Sequence, residues 1–336
     1  MSFYGNLIYY RERQLSLIDK NRRVLPFEWG LDFLGLSTGK TPLQQLKKFS
    51  RQSLRDSKQF FAVGRIRNVS LKGKCLTFSS PLPTSCEFND RVTTKLFLAR
   101  TRSTAVIVIP QWNADRQSHN SLCHALQRLG ITSVRFSLPY HDDRRPPMMK
   151  RADYMVSPNL GRTIHATRQA VMETLQLSAW LRHEGYKKIS IVGTSLGSCV
   201  AYLAFIHDPR ITCGVFNHVS SQFADVVWRG LSTHHVRRGL EGRITLRDLR
   251  DCWAPISPIN YIHSLVGDSR PHRLITAKYD LSFPNDLTET VFQEYKSHGL
   301  EYDRVNLPCG HYTTATFPFK FLDGWHICSY LYRLLR

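Results

Sequence analysis

Acidic residues are scarce in this chain. Its 336 residues hold 26 Asp and Glu against 46 Lys and Arg, a formal net charge of +20. The shortage excludes a polyanionic chain and asks for an anionic partner instead: nucleic acid, an anionic membrane or an acidic substrate. Long apolar runs are also missing. Ala105–Ile109 and Cys199–Ile206 are of core length, well short of the ~20 residues of a membrane-spanning helix. The opening MSFYGNLIYYRERQLSLIDK lacks the basic-then-apolar order and small-residue cleavage site of a secretory signal, so none is expected. The eight cysteines (Cys75, Cys86, Cys123, Cys199, Cys213, Cys252, Cys309, Cys328) form no CxxC or closely spaced Cys/His array. No metal is therefore expected, nor any cofactor. Their scatter through apolar segments fits a reduced, cytoplasmic protein, with peripheral attachment to a membrane as the alternative. Gly 19 and Pro 16 are ordinary and indicate nothing fibrous. Apolar material is ample, 42% hydrophobic and 11% aromatic, which excludes a disordered chain.

Charge is uneven along the chain. Residues 1–75 carry 15 Lys and Arg and 5 Asp and Glu, so half of the excess lies in less than a quarter of the sequence. Residues 1–74 are read as a basic N-terminal extension, packed on the core or tethered to it. Thr41-Pro42-Leu43-Gln44 predicts a helix start, with Thr41 as N-cap, Pro42 at N1 and Gln44 closing a capping box. That helix would run to about Lys58, with Leu43, Leu46, Phe49 and Leu54 as its apolar stripe. Lys47, Lys48, Arg51, Arg55 and Lys58 form its basic face, solvated or turned to an anionic lipid surface.

From residue 75 the rhythm changes. Leu76–Ser80 and Val92–Ala99 read as strands. Ala105–Ile109, Thr132–Leu138, Ile189–Val192, Thr212–Phe216, His272–Ala277 and a strand ending at Leu307 then alternate with helices. The pattern predicts an α/β fold: a mostly parallel sheet flanked by helices on both faces.

One motif carries chemistry. The strand Ile189–Val192 runs directly into Gly193-Thr194-Ser195-Leu196-Gly197, and a helix follows. This is G-x-S-x-G in its strand–turn–helix context. The serine sits on a strained turn that lifts its hydroxyl off the sheet, at a helix N-terminus that favours negative charge. A serine hydroxyl needs a base, and the base needs an orienting carboxylate. Both are available in the order Ser, acid, His. Asp280 follows strand His272–Ala277, and His311 follows the strand that ends at Leu307. Asp225, after the preceding strand, is the alternative acid. His141-Asp142-Asp143 looks metal-like but has no second ligand cluster, and is read as a solvated or salt-bridged loop. His234 and His235 are read as exposed cap residues.

On GTSLG, KYDLSFP and PCGHY the chain resembles the α/β-hydrolase superfamily over residues 75–336, and more loosely its little-characterised abhydrolase-domain branch. The resemblance implies a serine hydrolase with Ser195 as nucleophile, His311 as base then acid and Asp280 as orienter. The oxyanion hole needs two backbone N–H donors. Leu196 should give one. The other should come from the loop after Ala105–Ile109, where many relatives carry His-Gly but this chain reads Pro110-Gln111-Trp112. Proline has no N–H, so Gln111 is the candidate and Trp112 the runner-up. Residues 218–270 are too long for a plain loop and by resemblance form a helical cap. Trp112, Trp228 and Trp253 are candidates to line an apolar pocket there, against the plainer reading that they are core.

The expected activity is hydrolysis of a small-molecule or lipid acyl ester, or a thioester, through an acyl-enzyme. Alternatives are acyl transfer, or lipid acyl hydrolysis at an anionic membrane surface reached through the basic N-terminal region. A non-catalytic binding protein on the same fold is the reading from another class. Haloalkane chemistry would need Asp at Ser195, and no peptide-docking domain accompanies the triad. Nucleic acid is not favoured, because no recognition motif accompanies the charge.

Overall fold

The computed structural model describes residues 2–19, 21–37 and 39–336. In chain order the elements are α1 (Phe3–Leu17), α2 (Pro42–Arg55), α3 (Ser57–Phe60), β1 (Arg67–Lys72), β2 (Cys75–Ser79), α4 (Glu87–Asp90), β3 (Arg91–Phe97), β4 (Thr104–Ile109), α5 (Asn120–Arg128), β5 (Thr132–Phe136), α6 (Leu160–His183) and β6 (Lys188–Thr194). There follow α7 (Leu196–His207), β7 (Cys213–Asn217), α8 (Phe223–Arg229), α9 (His234–Leu240), α10 (Leu246–Cys252), β8 (His272–Ala277), α11 (Asn285–Ser297), β9 (Asp303–Leu307) and α12 (Phe319–Leu335).

The strands form one 9-stranded sheet in the order β1-β2-β3-β5-β4-β6-β7-β8-β9. From β5 to β9 all neighbours are parallel. The β1–β2–β3 edge is antiparallel and joins β5 through β3. Thr104–Ile109 is buried along its whole length, as a strand covered by helices on both faces must be. The strand order reverses between β4 and β6, since β5 lies on one side of β4 and β6 on the other. A crevice opens beyond the carboxyl ends of two strands at such a switch point. Here it lies between the loop after β4 and the turn after β6.

The sheet begins earlier than residue 75. Arg67–Lys72 pairs with Cys75–Ser79 as a hairpin. Its residues are almost all exposed, so the strand shows no alternation of apolar and polar positions, and pairing alone defines it. Pro42 does start α2, but the Thr41 side chain makes no capping bond. The helix stops at Arg55, because Asp56 leaves the helical region and caps α3 through Gln59 N–H.

Residues before β1 pack on the core. The short 3-10 helix Leu31–Leu34 lies against α6, α2 against α10, and α1 against Thr313–Ala315. Of the basic face, Lys47 pairs with Asp248 at 2.6 Å and Asp251 at 2.9 Å, while Lys48, Arg51, Arg55 and Lys58 stay exposed. The segment 218–270 holds α8, α9, α10 and two 3-10 stretches. No helix is long and apolar enough among the described residues to cross a membrane.

Candidate active site

Ser195 sits between β6 and α7 with φ 57 and ψ −121, a strained conformation for a residue with a side chain. The flanking glycines make that turn possible. A Cβ on Gly193 would lie 2.1 Å from Gly197 O, and one on Gly197 would lie 2.3 Å from Ile109 O. Strand, helix and the start of the β4 loop therefore converge at the serine with no room for a larger residue.

Three loops, after β6, β8 and β9, meet there. His311 Nε2 is 2.9 Å from Ser195 Oγ. Its Nδ1 is 2.9 Å from Asp280 Oδ2. Nδ1 is therefore the protonated nitrogen, donating to the carboxylate, and Nε2 is left to accept from the serine hydroxyl. Phe283 stacks on the His311 ring at 5.0 Å. Asp280 is buried, and four donors satisfy it: Oδ1 accepts the Ser282 and Phe283 N–H groups at 2.8 and 2.7 Å, and Oδ2 accepts both His311 and His218. Burial opposes the charge on Asp280, but the two imidazoles and their hydrogen bonds outweigh it and hold the carboxyl well below the usual range. Burial likewise opposes charge on His311, yet Asp280 and Glu12 raise it above an ordinary imidazole.

His218 was not among the residues singled out by sequence. It takes φ +58 immediately after β7, is 2% exposed, and donates Nδ1–H to Asp280 at 3.0 Å. Burial and the neighbouring His311 lower its pKa, so it serves as a neutral second donor that fixes Asp280. A signal was available: a histidine just past the carboxyl end of a buried strand, as Asp280 and His311 lie just past theirs. His218, Asp280 and His311 are also the described residues whose ligand atoms cluster tightly enough to suggest a cation. The separations between them are hydrogen-bond lengths, and each nitrogen facing Asp280 already gives it a proton.

Asp225 is not in this network. It pairs with Arg250 at 2.5 Å, because α8 carries it to the α10 side. The site lies on a cavity of about 980 Å³ lined by Gln111, Trp112, Leu196, Phe223 and Val226, among others. Leu196 is the first residue of α7, so its N–H has no partner within the helix. Gln111 N–H has no acceptor among the described residues. The β4 loop is held by His141, which is buried rather than solvated: its Nδ1 donates to Pro139 O and its Nε2 accepts Asn113 N–H, both at 2.9 Å. Asp142 and Asp143 pair with Arg135 and Arg116, the salt-bridged alternative. His235 is also buried and stacks on Trp112; only His234 is exposed. Trp112 lines the cavity, with its indole N–H donated to Ala152 O. Trp253 does not. It is fully buried against Phe223 and donates to Leu160 O. Trp228 packs on the core beneath Arg237 and stays off the cavity wall.

Comparison with known proteins agrees with this architecture. Residues 114–228, about a third of the chain, match the family described as "Alpha/beta hydrolase domain containing 18". The Pyrococcus furiosus esterase Pf2001 superposes with a TM-score of 0.55 at 15% identity, over 82% of this chain and 98% of the esterase. The fold is that of the α/β hydrolases. The Pyrococcus horikoshii acylaminoacyl peptidase gives a TM-score of 0.57 at 11% identity, over 81% of this chain and 50% of that one. The α/β hydrolase GrgF from Penicillium sp. sh18 gives 0.54 at 13%, over 79% and 99%. No match to the curated proteins is significant in sequence.

Proposed function

We propose that this protein is a serine hydrolase that cleaves a carboxylic ester or thioester through an acyl-enzyme. The observation that carries the reading is the continuous chain from Ser195 Oγ to His311 to Asp280, at 2.9 Å in each link. His311 Nε2 takes the serine proton as Oγ attacks the acyl carbon, and the imidazolium formed is stabilised by Asp280. His311 then returns the proton to the leaving oxygen or sulfur, and water repeats the sequence to release the acid. The Leu196 and Gln111 amides suit the developing oxyanion, because both border the cavity at the elbow. The helical segment 218–270 would act as a cap, since α8 contributes Phe223 and Val226 to the cavity wall.

A fluorophosphonate probe tests the reading. Wild type should be labelled and Ser195→Ala should not. No label on the wild type, or equal label on the variant, overturns it. An ester, thioester and phospholipid panel then ranks substrates.

Lipid acyl hydrolysis is favoured as the second reading by the cavity rim. Phe321 and Trp325 line the cavity yet are 68% and 62% exposed, as side chains that meet an apolar surface would be. The exposed Lys48, Arg51 and Arg55 on α2 would add attraction to anionic lipid.

A further inference from the structure

Helix α1 buries Gly5, Ile8, Glu12 and Ser16. Spacings of three and four put these on one face. It leaves Phe3, Leu7, Tyr10 and Leu17 exposed, the reverse of an ordinary surface helix. A carboxylate has therefore been buried where an apolar residue would be expected, and its partners say why. Glu12 is 0% exposed. Its Oε2 accepts the Tyr312 N–H at 3.0 Å, and its Oε1 accepts the Thr313 N–H at 2.7 Å. These are the two residues that follow His311. Burial raises the Glu12 pKa, but the two amide hydrogen bonds and the nearby His311 act against it, and both oxygens accept and neither donates, which is the bonding of an ionised carboxylate.

The fit is close from the other side as well. A Cβ on Gly310 would lie 2.4 Å from Glu12 Cδ, so the residue before His311 must be glycine for the carboxylate to seat. Neighbouring contacts hold α1 on the same two loops. The Tyr4 hydroxyl donates to Pro308 O at 2.6 Å. The Tyr4 and Tyr9 rings meet Tyr279, next to Asp280, edge-on at 5.7 and 5.5 Å. Arg22 donates to the Tyr312 hydroxyl at 2.8 Å.

We infer that Glu12 is a positioning residue for His311: its carboxylate clamps the 310–313 turn so that the imidazole meets Ser195, and its charge favours the imidazolium. The inference rests on the reading of His311 as the general base. The groups that face His311 are Ser195 at the start of α7, neutral His218 after β7, Asp280 and Phe283 from the β8 loop, and Glu12 from α1. Arg22 stands further out, on the Tyr312 hydroxyl. Asp280 and Glu12 are thus the negative charges near the ring, and both raise its affinity for a proton. Replacing Glu12 removes one of them and leaves two buried amides short of an acceptor.

The test compares wild type with Glu12→Ala, Glu12→Gln and Glu12→Asp. One readout is the pH profile of kcat/KM on a soluble ester. The other is the His311 imidazole titration, followed by NMR in histidine-labelled protein and assigned with His311→Asn. Glu12→Ala should lose about 10- to 100-fold in kcat with KM little changed, as expected when a catalytic group is displaced by a fraction of its bond length. Glu12→Gln keeps one acceptor oxygen and should lose less. Both should move the His311 titration, and the acidic limb of the profile, to lower pH, while Glu12→Asp stays near wild type. A packing role alone would not move the titration. An unshifted titration in folded Glu12→Gln, or full kcat in Glu12→Ala, overturns the inference. If Glu12→Ala does not fold, Glu12→Gln and Glu12→Asp carry the test. Titration is read without turnover, so an unlabelled Ser195 overturns the hydrolase reading separately. A labelled wild type with an unshifted titration overturns Glu12 alone.

Discussion

The loops beyond the parallel strands and the segment before β1 both reach His311, by different means. Ser195, Asp280 and His311 each stand just past a strand whose neighbours in the sheet are fixed by a ladder of backbone bonds. Their relative positions follow from the sheet, which brings those three strand ends to one crevice. Glu12 arrives instead on a helix from the other end of the chain and is seated by side-chain and amide contacts alone. On the proposed function, the sheet therefore supplies the reacting groups. The N-terminal segment, on the inference above, tunes them from outside the sheet.

The largest expected effect lies on the sheet side. Ser195→Ala and His311→Ala should each cost about 10⁴- to 10⁶-fold in kcat, measured on whichever ester the panel selects, because triad members act as a unit. If the two together lose no more than either alone, the unit is confirmed; additive losses would separate them. Asp280→Asn should cost about 10⁴-fold by leaving His311 without its orienting acceptor. Asp225→Asn should keep near-full activity, since Asp225 faces Arg250; a matching loss there would move the acid to α8. In the wild type, His311 must be neutral to accept the serine proton. Its pKa is raised, so kcat/KM should fall as pH drops through a limb above the ordinary imidazole value of about 6.5. Asp280 remains ionised throughout that range.

This contrast also explains what was legible in the sequence. GTSLG could be read because the glycines are demanded locally, by backbones that nearly touch at Gly193 and Gly197. Asp280 and His311 could be read because strand ends in this topology all open on one crevice. Buried strands such as Thr104–Ile109 announce themselves as apolar runs. Arg67–Lys72 does not, since it lies on the exposed edge of the sheet. Glu12 was not legible at all. A lone acid between Arg11 and Arg13 reads as surface charge, and only the tertiary contact with Tyr312 and Thr313 makes it anything else. The burial of His235, and the choice between pocket and core for Trp228 and Trp253, were not legible for a related reason: composition indicates that a side chain is large or polar, but the wall it faces is set by how the segment 218–270 folds back on α6 and on the β4 loop.

A third experiment separates packing from substrate contact on that segment. Trp253→Ala should lower unfolding free energy by about 3–5 kcal/mol, as expected for an aromatic side chain deleted from a core, measured by denaturant unfolding. Trp112→Ala should destabilise less than Trp253→Ala, because Trp112 is only half-buried, and should raise KM, because its ring borders the cavity. Equal destabilisation with unchanged KM in both would return Trp112 to the core.

The smallest effect is expected on the exposed basic face of α2, and it probes whether the charge excess serves docking. Lys47 is tied to Asp248 and Asp251, so it has little free charge to offer. Lys48, Arg51 and Arg55 have no such partners among the described residues and point to solvent. Each near-surface charge is worth about 1 kcal/mol toward an anionic bilayer. Arg51→Ala should therefore weaken binding to phosphatidylserine-containing vesicles about fivefold, and Lys47→Ala by less. The attraction should fade as salt rises, because the Debye length shortens to about 8 Å at physiological ionic strength. Turnover of a soluble ester should not change in Arg51→Ala, as α2 packs on α10 and away from Ser195. Binding that ignores salt, or is equal in Arg51→Ala and wild type, would assign the charge to solubility and leave the aromatic rim at Phe321 and Trp325 as the surface that meets the substrate.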